Sequence, residues 1–273
     1  MRKIYFAGII LLTSLFLFIA CHKGSQNTTN KDTSQIIKNN IAELASNDVF
    51  KVFLYGIMAA EDSITHPNDT LNFHFAEPCL QVNIGSYDTI TWSRIITLTY
   101  PASGCVCFDG NIRSGQITIM AIGLLQNLGS TYYLGLSNYS VNGIQVNGTK
   151  KIKVSATASG KAIGFNDHSE LIITDSTETF SWNADHNLQW VRGVKTNKNL
   201  ADDLFIYSGN SSSDSYTAII TNDLQFVNYC FWIGSGKIEI SPSDLPKRQV
   251  TYPDSCLNQA DVMINNETFR VNF

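Results

Sequence analysis

The chain has 273 residues, 44% of them hydrophobic and 15% charged, with 19 basic against 23 acidic side chains and a formal net charge of −4. That balance supplies no broad basic face, which excludes nucleic acid as a partner. The length suits one large domain.

Met1 to Ala20 reads as a signal peptide. Arg2 and Lys3 form a basic start, and Ile4 to Ala20 carry no charge. The run is near the lower limit for a membrane span, about 17 apolar residues. However, it ends on Phe18-Ile19-Ala20-Cys21, where polar sequence begins at once. This ending resembles the bacterial lipobox, which implies cleavage before Cys21 and diacylation of that cysteine. Acyl chains there would hold the protein on a membrane by hydrophobic burial. Residues 21–35 are rich in Ser, Asn, Thr and Lys and read as a flexible tether.

Residues 36–64 form the helical segment. Ile37, Ile41 and Leu44 make one apolar stripe, and Phe50, Phe53, Leu54, Ile57 and Met58 continue it. Ser46-Asn47-Asp48 interrupts the stripe and is expected to cap a second helical piece. Lys38 and Lys51 are too few for a membrane-surface helix, so the stretch is expected to lie on a sheet.

From Leu71 the period falls to two. Leu71, Phe73 and Phe75 alternate with polar residues, as do Leu80, Val82 and Ile84, then Ile96, Leu98 and Tyr100, then Ile117 and Ile119. Val141-Asn142-Gly143-Ile144 is a strong hairpin signal, because a type I′ turn needs positive φ at both central residues. Asn265-Asn266 is a weaker one. Asp167-His168-Ser169-Glu170 is expected in a turn, with strands at Leu171–Thr174, Thr177–Trp182, Leu188–Val194 and Leu204–Tyr207. Residues 195–203 and 209–215 are expected loops and the best alternative domain boundary. The fold class is all-β: an antiparallel sandwich or barrel-like set of sheets over residues 65–273, with an N-terminal helical segment.

One unit occurs twice, at residues 79–122 and 230–273. Cys79 to Cys105 and Cys230 to Cys256 have the same separation, and each second cysteine follows Thr-Tyr-Pro. In an exported chain this predicts disulfides Cys79–Cys105 and Cys230–Cys256. Cys107, on the same strand face as Cys105, is an alternative partner for Cys79. Tyr100 and Tyr252 should end strands, since the following Pro cannot donate to a ladder.

Several segments together resemble a group of uncharacterised lipoproteins of Bacteroidota. They are the lipobox, Cys105-Val106-Cys107-Phe108-Asp109-Gly110-Asn111-Ile112-Arg113-Ser114-Gly115-Gln116-Ile117, Asn138 to Gly143, Gly148-Thr149, and Trp232 to Ile240 with Cys256. The resemblance implies an envelope location and a β-rich fold, and implies no catalytic residue. Asp62-Ser63, Asp69-Thr70, Asp88-Thr89 and Asp175-Ser176 resemble the O-glycosylation pattern of exported proteins of that phylum. Sugars on Ser63, Thr70, Thr89 and Ser176 would mark exposed turns.

For chemistry, the patterned loop Asp109 to Gly115 offers two readings. Arg113 either grips a ligand carboxylate or phosphate, or clamps the loop by pairing with Asp109. Trp182 and Trp190, flanked by Asn183, Asn187 and Gln189, are the candidates for stacking on a sugar or a partner. His66, His74, His168 and His186 are scattered without metal-ligand spacing, and Cys105-Val106-Cys107 lacks a second ligand pair, so no metal or cofactor is expected. The first reading is a lipid-anchored outer-membrane protein with a structural or binding role toward a glycan or envelope protein. The periplasmic face is favoured, because no acidic export-like run follows Cys21. The alternative is a glycan-active enzyme with dispersed carboxylates.

Overall fold

The computed structural model describes residues 31–65, 79–91, 93–157, 163–193 and 202–273. The lipobox, the Leu71–Phe75 pattern, Thr70, His66 and His74 lie outside them. Residues Lys31–Phe273 form one compact unit. Among the described residues, helix α1 (Ser34–Thr65) precedes thirteen strands. These are β1 (Gln81–Ile84), β2 (Ser93–Val106), β3 (Ile112–Ile122), β4 (Thr131–Val141), β5 (Ile144–Ser155), β6 (Ile163–Thr174) and β7 (Thr179–Arg192). They continue as β8 (Leu204–Ser213), β9 (Tyr216–Val227), β10 (Ser235–Pro242), β11 (Arg248–Tyr252), β12 (Gln259–Ile264) and β13 (Glu267–Asn272). All join one antiparallel sheet in chain order, which leaves β1 and β13 as its edges. The all-β class with an N-terminal helix is therefore what the chain adopts.

The helix does not lie on the sheet; the sheet curls around the helix. Every residue from Ala42 to Ile57 is buried. The Phe50 ring packs edge-on against Phe165 of β6 at 5.2 Å, Phe205 of β8 at 5.4 Å and Phe226 of β9 at 6.3 Å. Phe53 meets Tyr132 of β4 at 5.0 Å, and Gly56 admits the Leu98 side chain of β2. A helix wrapped on all sides has no solvent stripe, which is why the stripe in the sequence is blurred.

Curling needs bends in the ladders. The register shifts between β2 and β3, β3 and β4, β4 and β5, β7 and β8, β8 and β9, and β9 and β10. Bulges of this kind increase local twist and coil a sheet. Gly148 and Gly209 sit at φ 118° and 139° with the carbonyls of Glu170 and Asp185 pressed against them, so any side chain there would collide with the neighbouring strand.

Turn chemistry is as the sequence implies. Asn142 and Gly143 take φ 50° and 84°, and Asn265 and Asn266 take 49° and 66°. Tyr252 ends β11 as expected, but the expectation for Tyr100 is corrected: β2 continues through Pro101 to Val106, and the proline falls where pairing with β3 is interrupted between Tyr100 and Cys105, so no ladder donor is needed there. The two cysteine units share strand order but not register. Tyr100 stands opposite the position just after Cys79, whereas Tyr252 pairs Gly236, well beyond Cys230.

Further expectations are corrected. Ser46-Asn47-Asp48 does not break the helix, because its side chains bond to strands instead of to the helix's own backbone. Residues 167–170 lie mid-strand in β6, with Asp167 and Ser169 facing inward on the same parity as Phe165 and Leu171. Residues 209–213 belong to β8 and pair with β9. In both strands inward polar side chains disguise an intact alternation. Ser63 also falls inside α1 and not in a turn.

Candidate functional site

The charged residues of the interior come first, since they decide what is left for a ligand. Arg113 on β3 is fully buried. Its Nε and one terminal nitrogen donate to Asp48 at 3.1 and 2.5 Å, and its terminal nitrogens donate to Asp109 at 2.9 and 2.6 Å. The Tyr139 hydroxyl on β4 donates to the same Asp48 at 2.5 Å. Burial alone would discourage the guanidinium charge, but Asp48, Tyr139 and Asp109 overcome it and hold the charge firmly. The loop clamp is thus real and extends further than the sequence shows: it ties α1 to the sheet. The ligand-gripping reading of Arg113 is corrected, because both carboxylates fill its fork.

A second interior group surrounds Glu43. The Tyr207 hydroxyl donates to it at 3.3 Å and the Ser211 hydroxyl at 3.4 Å, and His186 Nε2 lies 3.6 Å away. Burial pushes the Glu43 carboxyl up to about 8 and, with help from Lys150, holds His186 down to about 3. Both are therefore neutral near pH 7. Lys150 donates to the Ser46 hydroxyl at 2.7 Å and pairs with Asp167 at 2.8 Å. Trp182 donates to Asn39 at 3.3 Å. Trp182 and Trp190 are 0% and 2% exposed. They line the interior, so the expectation that they form a surface platform is corrected: alternation along β7 turns both inward.

The same alternation sends a different set outward. Asn166 and His168 on β6 stand beside Asp185 and Asn187 on β7 and beside Lys151 and Lys153 on β5. Together they line an open groove of about 310 Å³. Asn166 donates to the Asn187 side-chain oxygen at 2.6 Å, and His168 Nδ1 lies 2.7 Å from Asp185. The hydrogen bond with Asp185 raises the His168 pKa above its ordinary value, with Glu170 adding to it. Lys151 lies over the Tyr133 ring at 5.6 Å. Amides, a carboxylate, a histidine and ammonium groups on a flat face present both donors and acceptors to a hydroxyl-rich ligand. Reading the sequence for motifs misses this set, because its members meet across strands; the outward parity of β6 and β7 is the signal that could have found it.

Cys79–Cys105 and Cys230–Cys256 are disulfides, with Cα separations of 6.1 and 5.9 Å, inside the bridging range. Among the described residues Cys107 is the free cysteine, and it is buried. Thr89 and Ser176 are exposed at turns closed by Asp88 and Asp175, whose carboxylates accept from Ile90 N at 2.8 Å and Thr177 N at 2.7 Å. Comparison of the chain with protein-family models, with curated proteins and with solved structures finds no match.

Proposed function

We propose that the chain is a lipid-anchored protein of the bacterial cell envelope, of the Bacteroidota kind that its motifs resemble, and that it binds a glycan on the outer face of β5, β6 and β7. The observation that carries this reading is the division of polar side chains. Asp109, Arg113 and Trp182 serve the interior, while Lys151, Lys153, Asn166, His168, Asp185 and Asn187 stand together outside. The groove is open and keeps no water out, which suits recognition better than bond cleavage. An enzyme on glycans would want two carboxylates about 5–9 Å apart beside a substrate-facing ring; the buried Trp182 and Trp190 weigh against that alternative.

Two measurements test the proposal. Replacing Cys21 by Ala should release the protein from the outer-membrane fraction or block signal cleavage; fractionation and migration like wild type overturn the anchor. A glycan array should retain wild type and lose the Lys153→Ala/Asn187→Ala variant. Equal retention overturns the site, capture of an envelope protein with no glycan signal shifts the partner class, and release of new reducing ends overturns the binding role in favour of catalysis.

A further inference from the structure

Where β7 and β9 end and β8 begins, buried side-chain oxygen atoms lack partners. Asp203 and Asn228 have no exposed surface, and both side-chain polar atoms of each are unbonded. Asp202 adds a third buried, unbonded oxygen, Oδ1. Such groups are rare in native interiors, and each calls for an explanation. Parity places Asp203 with Phe205 and Tyr207 on the inner face, and Asn228 with Leu224 and Phe226 on the same face. The backbone joins the two positions, since Asn228 N–H donates to the Asp203 carbonyl at 3.1 Å. Gly193, at φ 95°, leaves the space that the Asp203 carboxylate occupies; a Cβ there would collide with Oδ1.

The Arg192 guanidinium acts on Asp203 through space but pairs with neither carboxylate. Among the described residues no ion pair reaches Asp202 or Asp203. Arg192 points its Nε at the Asp202 carbonyl, 3.0 Å away, and not at a carboxylate. Burial holds the Asp203 carboxyl up at about 7, with Asp202 reinforcing the shift; the Trp190 N–H is near enough to oppose it but closes no hydrogen bond. An open hollow of about 220 Å³ is lined in part by Arg192, Leu204, Val227 and Tyr229, the last three being chain neighbours of Asp203 and Asn228.

We infer that Asp202, Asp203 and Asn228 form a binding site for a hard divalent cation, with Ca²⁺ as the favoured ion. The donors are all oxygen, two carboxylates and a carboxamide, as Ca²⁺ requires; backbone carbonyls and water complete its six to eight ligands. No three His, Cys, Asp or Glu converge as metal ligands among the described residues. The site escapes that pattern because its third side chain is an asparagine. The cation would neutralise a buried carboxylate and satisfy the orphan oxygens in one step.

The test uses the full mature chain, stripped with chelator and titrated with Ca²⁺, Mg²⁺ and Tb³⁺ in turn. Trp190 lies beside the site, so bound Tb³⁺ should luminesce on indole excitation, and Ca²⁺ should quench that signal by competition. Millimolar Ca²⁺ should also raise the thermal midpoint, because the ion binds the folded state alone. Asp203→Asn should weaken Ca²⁺ binding by about tenfold or more, and Asn228→Ala should weaken it with Trp190 and both carboxylates in place. No Tb³⁺ luminescence and no Ca²⁺-dependent midpoint shift in wild type overturn the inference, whatever the variants do. Wild-type binding that survives both substitutions unchanged overturns the assigned ligands.

Discussion

Asp48 shows how much one helix side chain can decide. It is fully buried and accepts from Arg113 and Tyr139, which come from adjacent strands. Removing one member of a buried ion pair typically costs about 3–5 kcal/mol, because the partner charge is left stranded. Asp48→Ala should therefore shift the urea midpoint down by that order, and a wild-type midpoint would show that the clamp carries no stability. Glu43 makes the stability depend on pH. Its native carboxyl titrates near 8 against 4.5 when unfolded. Between those values the native state holds a proton that the unfolded state has lost, so stability falls as pH rises. Lys51 acts beyond that window: burial lowers it from 10.5 to about 8, so the unfolded state binds more protons there and stability rises with pH. Denaturant midpoints should fall from pH 6.5 toward a minimum near 8. Asp203, raised to about 7, contributes to the lower part of the same limb, so Glu43→Gln should flatten the limb between pH 7 and 8, and a fall that persists there in this variant would remove Glu43 as its cause. His186 runs the other way, its contribution being lost as pH falls below 6.5.

At the level of elements, the two disulfides fasten loops at different places on the same sheet. Each closes an interval of 26 residues. Removing a native bridge from a small secreted domain costs about 2–5 kcal/mol; here the larger core makes that an upper range. Cys230→Ser/Cys256→Ser should lower the unfolding midpoint accordingly, and peptide mapping should return Cys79–Cys105 intact in the variant. A Cys79–Cys107 peptide in the wild-type protein would contradict the pairing. These bridges and the Asn142-Gly143 turn were legible in the sequence because their signals are local or exactly repeated in spacing. The helix was legible as a segment but not as a continuous one. Ser46, Asn47 and Asp48 favour caps by bonding to nearby backbone; here Lys150, Tyr207 and Arg113 engage them from far along the chain. The groove was illegible for a related reason: Asn183 to Asn187 looks like a loop by composition, while β7 runs straight through it with alternation intact.

The whole molecule is a meander with its core element at the front. Strand pairs are neighbours in sequence, yet the helix meets partners as far away as Tyr252, whose hydroxyl donates to Asn40 across 212 positions. Among the described residues the sheet's inner face has no other filling, so a chain beginning at Cys79 should lack fixed tertiary structure by near-ultraviolet circular dichroism, and a peptide of residues 34–65 added in trans should restore it. Folding of the shorter chain alone would show that the sheet needs no template. The order of the chain also matters during synthesis. The helix leaves the ribosome before any described strand, so for a time it waits in water with Phe50, Phe53 and Leu54 uncovered. Glu43, Asp48 and Lys51 on its surface then act as solubilising groups. The charges that later bind the helix to the sheet first keep it from sticking to another copy of itself.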